Sequence, residues 1–397
     1  MSTLSITNIT INKFSAVDSK ELKNIVDLMI KYGIKNPLNL LPQTPWYEVS
    51  FRLNNTYTGF ANGIRRILLE EIPTKCLDFD YNNHYETDDE FILIDKIQKD
   101  INLLPINQDI DDNKFDNYSI DLHVYNDTNE IVEIKAYDIR ITNKSKNKIN
   151  RDNSGKVLHD IKQKNELYSY RRMSYEKNNQ IINEDPILIN KLIPDSNITI
   201  TSLRPGKYII IKNISIIEGL CKDNAAKFSL LNEVKYKPIV KSIFNSFNNE
   251  GTRSIEQNPT TFDISFTTAS NISVNNVINK LCNVLKNKLL ITKEKIENYN
   301  NLENKLSYYS ANNLEVSFKD NMFVYKIHGE YLTISKMLAQ RCYLLDKNIS
   351  FCVSTVDRFD NEIAIIKLKH PDPNKLLIAS CEECIKDVEK LRKSLVK

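Results

Sequence analysis

Phe60, Ile64, Ile67, Leu68 and Ile72 recur at three- and four-residue spacing, the period that gathers apolar side chains on one face of an α-helix. The segment is bounded at both ends. Asn55 or Thr56 offers a side-chain acceptor to the first free backbone N–H groups, and Pro73 marks where the helix must stop. Arg65 and Arg66 sit side by side within it, and at about 100° per residue they cannot both point into a core. At least one of them faces solvent or a partner. By period alone this is an amphipathic helix with a charged edge.

Helical period returns elsewhere. Over residues 18–33, Leu22, Ile25, Val26 and Met29 share a face, so the N-terminal segment is expected to dock rather than trail free, with a Pro-containing connector over 36–45. Ser273 can cap a helix whose stripe is Val274, Val277, Ile278, Leu281, Val284, Leu285 and Leu289. Asp372 and Pro373 begin a final helix with Leu377, Cys381, Cys384, Val388, Leu391 and Leu395 spaced four, three, four, three, four. That spacing suits a narrow helix-on-helix seam, and the two long helices are expected to cross or pair. Polar residues 294–304 read as a linker between them.

Between about 77 and 221 the period changes to two. Ile120, Leu122 and Val124 alternate with polar residues, as do Val132, Ile134 and Ala136, and Ile198, Ile200, Ile209, Ile211, Ile214 and Ile216 belong to further strand-like runs. This reads as an inserted, largely β domain. Within it, residues 143–184 are polar and charged with little periodicity, the pattern of a long loop.

At 397 residues and 41% hydrophobic, the chain is long enough for two or three domains with real cores. Its 54 basic and 51 acidic side chains leave a formal charge of only +3, which argues against a protein whose main task is to hold DNA by neutralising phosphates. Seven Cys, an odd number, and no N-terminal apolar signal segment suggest reduced thiols inside a cell. No uncharged apolar run approaches the roughly 20 residues of a membrane span.

The chemical motifs have plainer readings. Cys381-x-x-Cys384 has the spacing of half a zinc site, but no second Cys-x-x-Cys exists and both sulfurs lie on an apolar stripe, which favours packing. Asp78, Asp80, Asp88, Asp89 and Glu90, then Asp109, Asp111, Asp112 and Asp116, could serve a magnesium-dependent nuclease only if they converged. They lack an accompanying base, a phosphate-binding loop, and the Gly and final Glu of an EF-hand. The five His (84, 123, 159, 328, 370) have no metal spacing. Lys144, Lys146, Lys148, Arg151, Arg171 and Arg172, near Tyr168 and Tyr170, form the basic and aromatic stretch that could grip a single strand; a solvated polar loop is the simpler reading.

One set of residues goes further. Asn62, Arg65, Arg66, Glu71, Pro73 and Thr74 make an Asn-x-x-Arg-Arg-x-x-x-x-Glu-x-Pro-Thr run. It resembles the helix that opens the dimerisation domain of the RNA polymerase platform subunits, which are the bacterial α subunit and the third-largest subunit of eukaryotic RNA polymerase II. Residues 94–106 (IDKIQKDINLLPI) resemble the helix and Leu-Ile-Pro exit that follow, with Lys99, Asp100, Ile101 and Asn102 where the family has His-Arg-x-Gly. Asn224 to Ser229, followed by Tyr236 and Pro238, resembles the family's His-Ala-Lys-Trp-Ser segment, and residues 261–290 its closing strand and long helix. Residues 323–345 resemble the Glu-Asp-His-Thr-Leu-Gly-Asn-Leu-Leu motif of the eleventh subunit. Glu330, Thr333, Ile334, Met337 and Leu338 keep that pattern, and Tyr331, Leu332, Ser335 and Lys336 depart from it.

The resemblance implies an α+β chain in which both halves of the platform heterodimer are fused, as in some large DNA viruses. The domains expected from it are an N-terminal extension (1–45), a first dimerisation domain (46–76 and 222–293), an inserted β-rich domain (77–221), a linker (294–311) and a second dimerisation domain (312–397). It implies a non-catalytic subunit that binds the largest and second-largest polymerase subunits and a small zinc-ribbon or helical subunit. DNA would be met only through the complex, and no membrane or cofactor is involved. Relatives often hold zinc in the insert, but this insert has only Cys221 at its edge, so none is expected. The implied partner interface is Asn62, Arg65, Arg66, Glu70 and Lys227. The implied internal core is Phe60, Ile64, Leu68, Leu281, Leu285, Met337, Leu338, Cys384, Val388 and Leu391. If the chain is viral, the implied location is the host cytoplasm and the virion. The alternatives are a nucleic-acid-binding regulator resting on residues 144–172 and a metal-dependent nucleic-acid enzyme resting on Asp78, Asp80 and Asp88.

Overall fold

The computed structural model describes residues 3–14, 20–33, 46–110, 118–143, 192–194, 197–240, 242–244, 253–255, 259–268, 271–300, 308–311, 313–330, 332–347, 349–357 and 363–396. The expected connector (36–45), the polar loop from 144 with its basic residues, His159, and Asp111, Asp112 and Asp116 lie outside them. The chain begins β1 (Ser5–Phe14), α1 (Lys20–Lys31), β2 (Trp46–Asn54), α2 (Thr58–Glu70). There follow β3 (Thr74–Asp78), α3 (Tyr81–His84), β4 (Tyr85–Thr87), α4 (Ile94–Asn102), β5 (Tyr118–Tyr125), β6 (Val132–Lys135), β7 (Ile139–Asn143), β8 (Thr199–Leu203) and β9 (Tyr208–Gly219). Next come α5 (Ala225–Phe228), β10 (Leu231–Pro238), β11 (Ser242–Phe244), β12 (Arg253–Ile255), β13 (Phe262–Thr268) and α6 (Val274–Asn300). The last run is β14 (Tyr308–Ala311), β15 (Leu314–Lys319), β16 (Met322–His328), α7 (Leu332–Leu345), β17 (Phe351–Val356), β18 (Ile363–Lys369) and α8 (Pro373–Leu395).

The fold is α+β with antiparallel sheets. One sheet has the order β1-β2-β13-β10 and another β14-β15-β16-β18-β17. The same path is traced twice: strand, helix, edge strand, central strand, helix, as β2-α2-β10-β13-α6 and again as β16-α7-β17-β18-α8, with sheet orders β2-β13-β10 and β16-β18-β17. The equivalent helices meet each other, α2 against α7 and α6 against α8.

Period explains which faces are covered. In β2 Val49, Phe51 and Leu53 alternate inward, in β13 Phe262, Ile264 and Phe266, and in β16 Tyr325 and Ile327. These strands and the helix stripes share one apolar cluster, which contains Phe60, Ile64, Leu68, Leu281, Leu285, Met337, Leu338, Cys384, Val388 and Leu391. The segment from β3 to β9 has a separate cluster running from Leu77 to Ile214, built on the sheet β3-β9-β5-β7 with α4 packed on β3. Because β3 pairs with β9 from Thr74 onward, the insert's sheet starts a few residues before the expected boundary at 77.

Two glycines set the approach of α2 to α7. A Cβ on Gly59 would stand 2.7 Å from Gln340 Oε1 and 3.0 Å from the Lys336 carbonyl, and one on Gly63 would stand 2.6 Å from Met337 Cε. The expected side-chain cap at Asn55 or Thr56 is replaced. Tyr57 occupies the N-cap without a side-chain bond, and Gly59 N–H donates instead to Gln340 Oε1 at 2.6 Å. An acceptor from α7 serves because α7 lies against this helix end. Ser273 does act as expected, accepting from Asn276 N–H through Oγ.

The linker expectation needs correction at both ends. Residues 294–300 complete α6, because Ile296 and Tyr299 are buried in the shared cluster, and residues 308–311 form β14, paired with β15. The N-terminal extension is also partly structural: β1 joins the first sheet through β2. By contrast α1, expected to dock, leaves Ile25, Leu28 and Ile30 exposed.

Charge is buried where the repeated units meet. Lys288 Nζ on α6 lies 2.9 Å from Glu71 Oε2, just past α2, and 2.9 Å from Glu330 Oε2, just before α7, with both carboxylates almost fully buried. Burial opposes the charge on Lys288, but the Glu330 and Glu71 carboxylates outweigh it and hold the ammonium above the ordinary lysine range. Burial also raises the Glu330 carboxyl, and Lys288 only partly offsets this.

Lys288→Met would leave two carboxylates buried without their cation, a change that costs about 3–5 kcal/mol. A group raised in the folded state takes up its proton there more readily than in the unfolded chain, so the Glu330 contribution to stability grows as pH falls. The deficit, measured by urea unfolding, should therefore shrink between about pH 8 and about pH 5. The glycines separate in the same assay. Gly59→Ala meets backbone and should destabilise by about 1–2 kcal/mol, whereas Gly63→Ala meets only the mobile end of Met337 and should be nearly neutral.

Candidate partner-binding edge

Helix α2 buries Phe60, Ala61, Ile64, Ile67 and Leu68 and leaves Asn62, Arg65, Arg66, Leu69 and Glu70 half-buried along its outer edge. Both guanidinium groups are tethered locally. Arg65 Nε donates to Asn62 Oδ1 at 3.1 Å, and its guanidinium carbon lies 5.9 Å from the ring centre of Tyr236 on β10. Arg66 Nη2 lies 3.3 Å from Glu70 Oε2, one helical turn away. The backbone carbonyl of Glu70 accepts from Lys222 N–H at 3.0 Å, which brings the segment before α5 beside the end of α2. An edge of this kind presents oriented donors that remain within reach of solvent.

Lys227 stands apart from the arginines. Its Nζ lies 3.0 Å from Asp78 Oδ2, across the junction between α5 and β3, while Asn224 Oδ1 accepts from its N–H and caps the short helix. The fourfold set Asn62, Arg65, Arg66 and Glu70 thus forms one continuous edge, and Lys227 belongs to the seam with the insert. Tyr236 is the added member of the edge. Only its place in the family-like run marked it in the sequence, because its contact with Arg65 spans two distant elements.

The acidic residues do not converge. Asp78 also accepts from Phe79 N–H and from Gln98 Nε2, and Asp80 accepts from Asn82 N–H. Asp88 accepts from Tyr208 N–H, Asp89 pairs with Arg204 at 2.8 Å, and Asp109 accepts from Ser273 N–H and Asn276 Nδ2 at the start of α6. Each serves a turn, a cap or an ion pair. Among the described residues no group of three or more His, Cys, Asp or Glu could hold a metal ion. Cys381 and Cys384 are fully buried free thiols, and Tyr57 Oη lies 3.2 Å from Cys384 Sγ. Burial pushes the Cys384 thiol up to about 12. His328 bonds Glu315 and His370 bonds Asp346, at 2.9 and 3.0 Å.

No protein-family model matches the chain, and neither does any curated protein. Among the described residues no helix is long and apolar enough to cross a membrane.

Lys227→Ala should lower stability by about 1 kcal/mol or less in urea unfolding, because the pair is partly exposed and Asp78 keeps two other donors.

Proposed function

We propose that this chain is a non-catalytic assembly-platform subunit of a multisubunit DNA-directed RNA polymerase, in which two dimerisation-type units fused in one polypeptide bind the second-largest and then the largest subunit. The observation that carries the reading is the repeated strand-helix-strand-strand-helix path, whose paired helices share one apolar cluster. Two units that bury their stripes against each other are what the family resemblance requires of a fused platform. The residues of the family-like run agree with it in kind: Glu71 is buried at the junction, while Asn62, Arg65 and Arg66 lie along a half-exposed edge.

In this role the edge of α2 offers Arg donors to carboxylates and carbonyls of the second-largest subunit, where planar guanidinium groups recognise a partner bidentately. A small zinc-ribbon or helical subunit binds beside it, and DNA is reached only through the complex. The protein works inside cells and, if its source is a virus, in the host cytoplasm and the virion. The regulator alternative rests on residues 144–172, which lie outside the described residues, and the metal-enzyme alternative is disfavoured by the separate engagements of Asp78, Asp80 and Asp88.

Tagged chain purified from cells expressing it should bring down the two large polymerase subunits in stoichiometric amounts. Arg65→Glu with Arg66→Glu should cut that recovery at least about tenfold while changing stability by about 1 kcal/mol or less, since only surface pairs are lost. Recovery of nucleic acid alone, or of no partner, would sink the reading.

A further inference from the structure

A polar cleft of about 90 Å³ lies where the insert meets the first sheet and helix unit, lined by residues that include Thr74, Cys76, Asn102, Gln108, Lys227 and Ser229. It is held open by a bonded frame. Gln108 Oε1 accepts from Lys75 N–H and its Nε2 donates to the Lys75 carbonyl, both at 2.8 Å, while Gln108 N–H donates to the Asn271 carbonyl at 2.9 Å. Lys227 is neutralised by Asp78, and Thr74 Oγ1 donates to the Ile72 carbonyl.

Asn102, the last residue of α4, is different. Its side chain is 4% exposed and its Oδ1 is buried without a hydrogen-bond partner. Turning the amide over would strand the nitrogen instead, so one end is unpaired in either orientation. Native proteins keep few such groups, and each calls for a reason.

We propose that this cleft is a receiving site for the carboxamide side chain of an Asn or Gln on a docked partner polypeptide. The size fits: at about 30 Å³ per water molecule the space takes about three waters or one short side chain, and excludes a nucleotide or an aromatic ring. The chemistry fits as well. A carboxamide donates N–H to Asn102 Oδ1 and offers its oxygen to the ammonium of Lys227, which lines the same cleft. An anionic group would face the unpaired acceptor, and a cationic one would face Lys227 with Asp78 already engaged. The kind of partner rests on the assembly reading; the contact rests on the cleft.

The test uses the full chain with Asn102→Leu and Asn102→Ala. Removing a stranded acceptor should leave the melting temperature of the isolated chain unchanged or raised for at least one variant, while recovery of the stoichiometric partner from cells falls about tenfold or more. A photo-reactive residue in place of the exposed Ser229 should crosslink to a partner peptide containing Asn or Gln. If both variants melt several degrees lower, Asn102 is satisfied by internal water and the proposal fails. It fails equally if partner recovery is unchanged, and then co-purifying polymerase subunits leave the assembly reading intact. If the partners recovered with the unaltered chain are not polymerase subunits, the assembly reading fails while the variants still decide the cleft. If no partner is recovered, both fail.

Discussion

The close approach of α2 to α7 is the constraint on which the rest of the core depends. With no Cβ at Gly59, the start of α2 rests against the Lys336 carbonyl, and with none at Gly63 the Met337 side chain fits beneath the next turn. That spacing brings the stripe of Phe60, Ile64 and Leu68 into one cluster with Met337 and Leu338, and α6 and α8 join the same cluster. Burial of these stripes supplies the driving force, at roughly 25 cal/mol per Å² of apolar surface. The buried Lys288 between Glu71 and Glu330 contributes differently. An ion pair taken out of water roughly breaks even against its desolvation, so its value lies in rejecting other arrangements of the two units. A shifted register would strand at least one charge.

The two repeats differ in how much chain they spend between first helix and edge strand. The second goes from α7 to β17 through residues 346–350, whereas the first passes through the whole insert before reaching β10. The insert keeps its own apolar cluster and meets the shared core through polar contacts, including Lys280 to the Pro73 carbonyl and Asp109 to the start of α6. A unit attached in this way can change its surface without disturbing the helix crossing. Joining both repeats in one chain makes their encounter intramolecular, with an effective concentration set by the connection and independent of protein concentration. That connection is short, because α6 runs to Asn300 and β14 starts at Tyr308.

Elements with a strong period were legible in the sequence. The face of α2, the seam of α8 and the alternation of β5 and β9 follow from spacing alone, because each buries one face against a single core. The end of α6 was hidden by composition: Glu294, Lys295 and Glu297 look like linker, yet Leu289, Thr292, Ile296 and Tyr299 carry the stripe onward at three- and four-residue spacing. β1 was missed because nearly all its side chains are exposed, and an edge strand held mainly by backbone pairing needs no alternation. The cap from Gln340, the partners of Lys288 and the unpaired Asn102 depend on residues far apart in sequence, which no local pattern encodes. Of the candidate edge, the arginines were legible as charges that could not both be buried. Their tethering to Asn62, Glu70 and Tyr236 was not.

That tethering bears on what the edge is for. A half-exposed Arg66–Glu70 pair one turn apart contributes only a few tenths of a kcal/mol to a helix, too little for folding to account for it. Its effect on binding is larger in principle, since guanidinium groups already held by their own helix lose less side-chain freedom when a partner arrives. The chain as a whole is close to neutral at +3, so attraction at this edge is local and falls off within about one Debye length, roughly 8 Å at physiological salt. A surface of that kind does little to gather a polyanion from a distance. It discriminates instead at contact, where a carboxylate or carbonyl must fall in line with fixed donors, and that is the requirement a subunit faces when it has to join one partner among many in a set order.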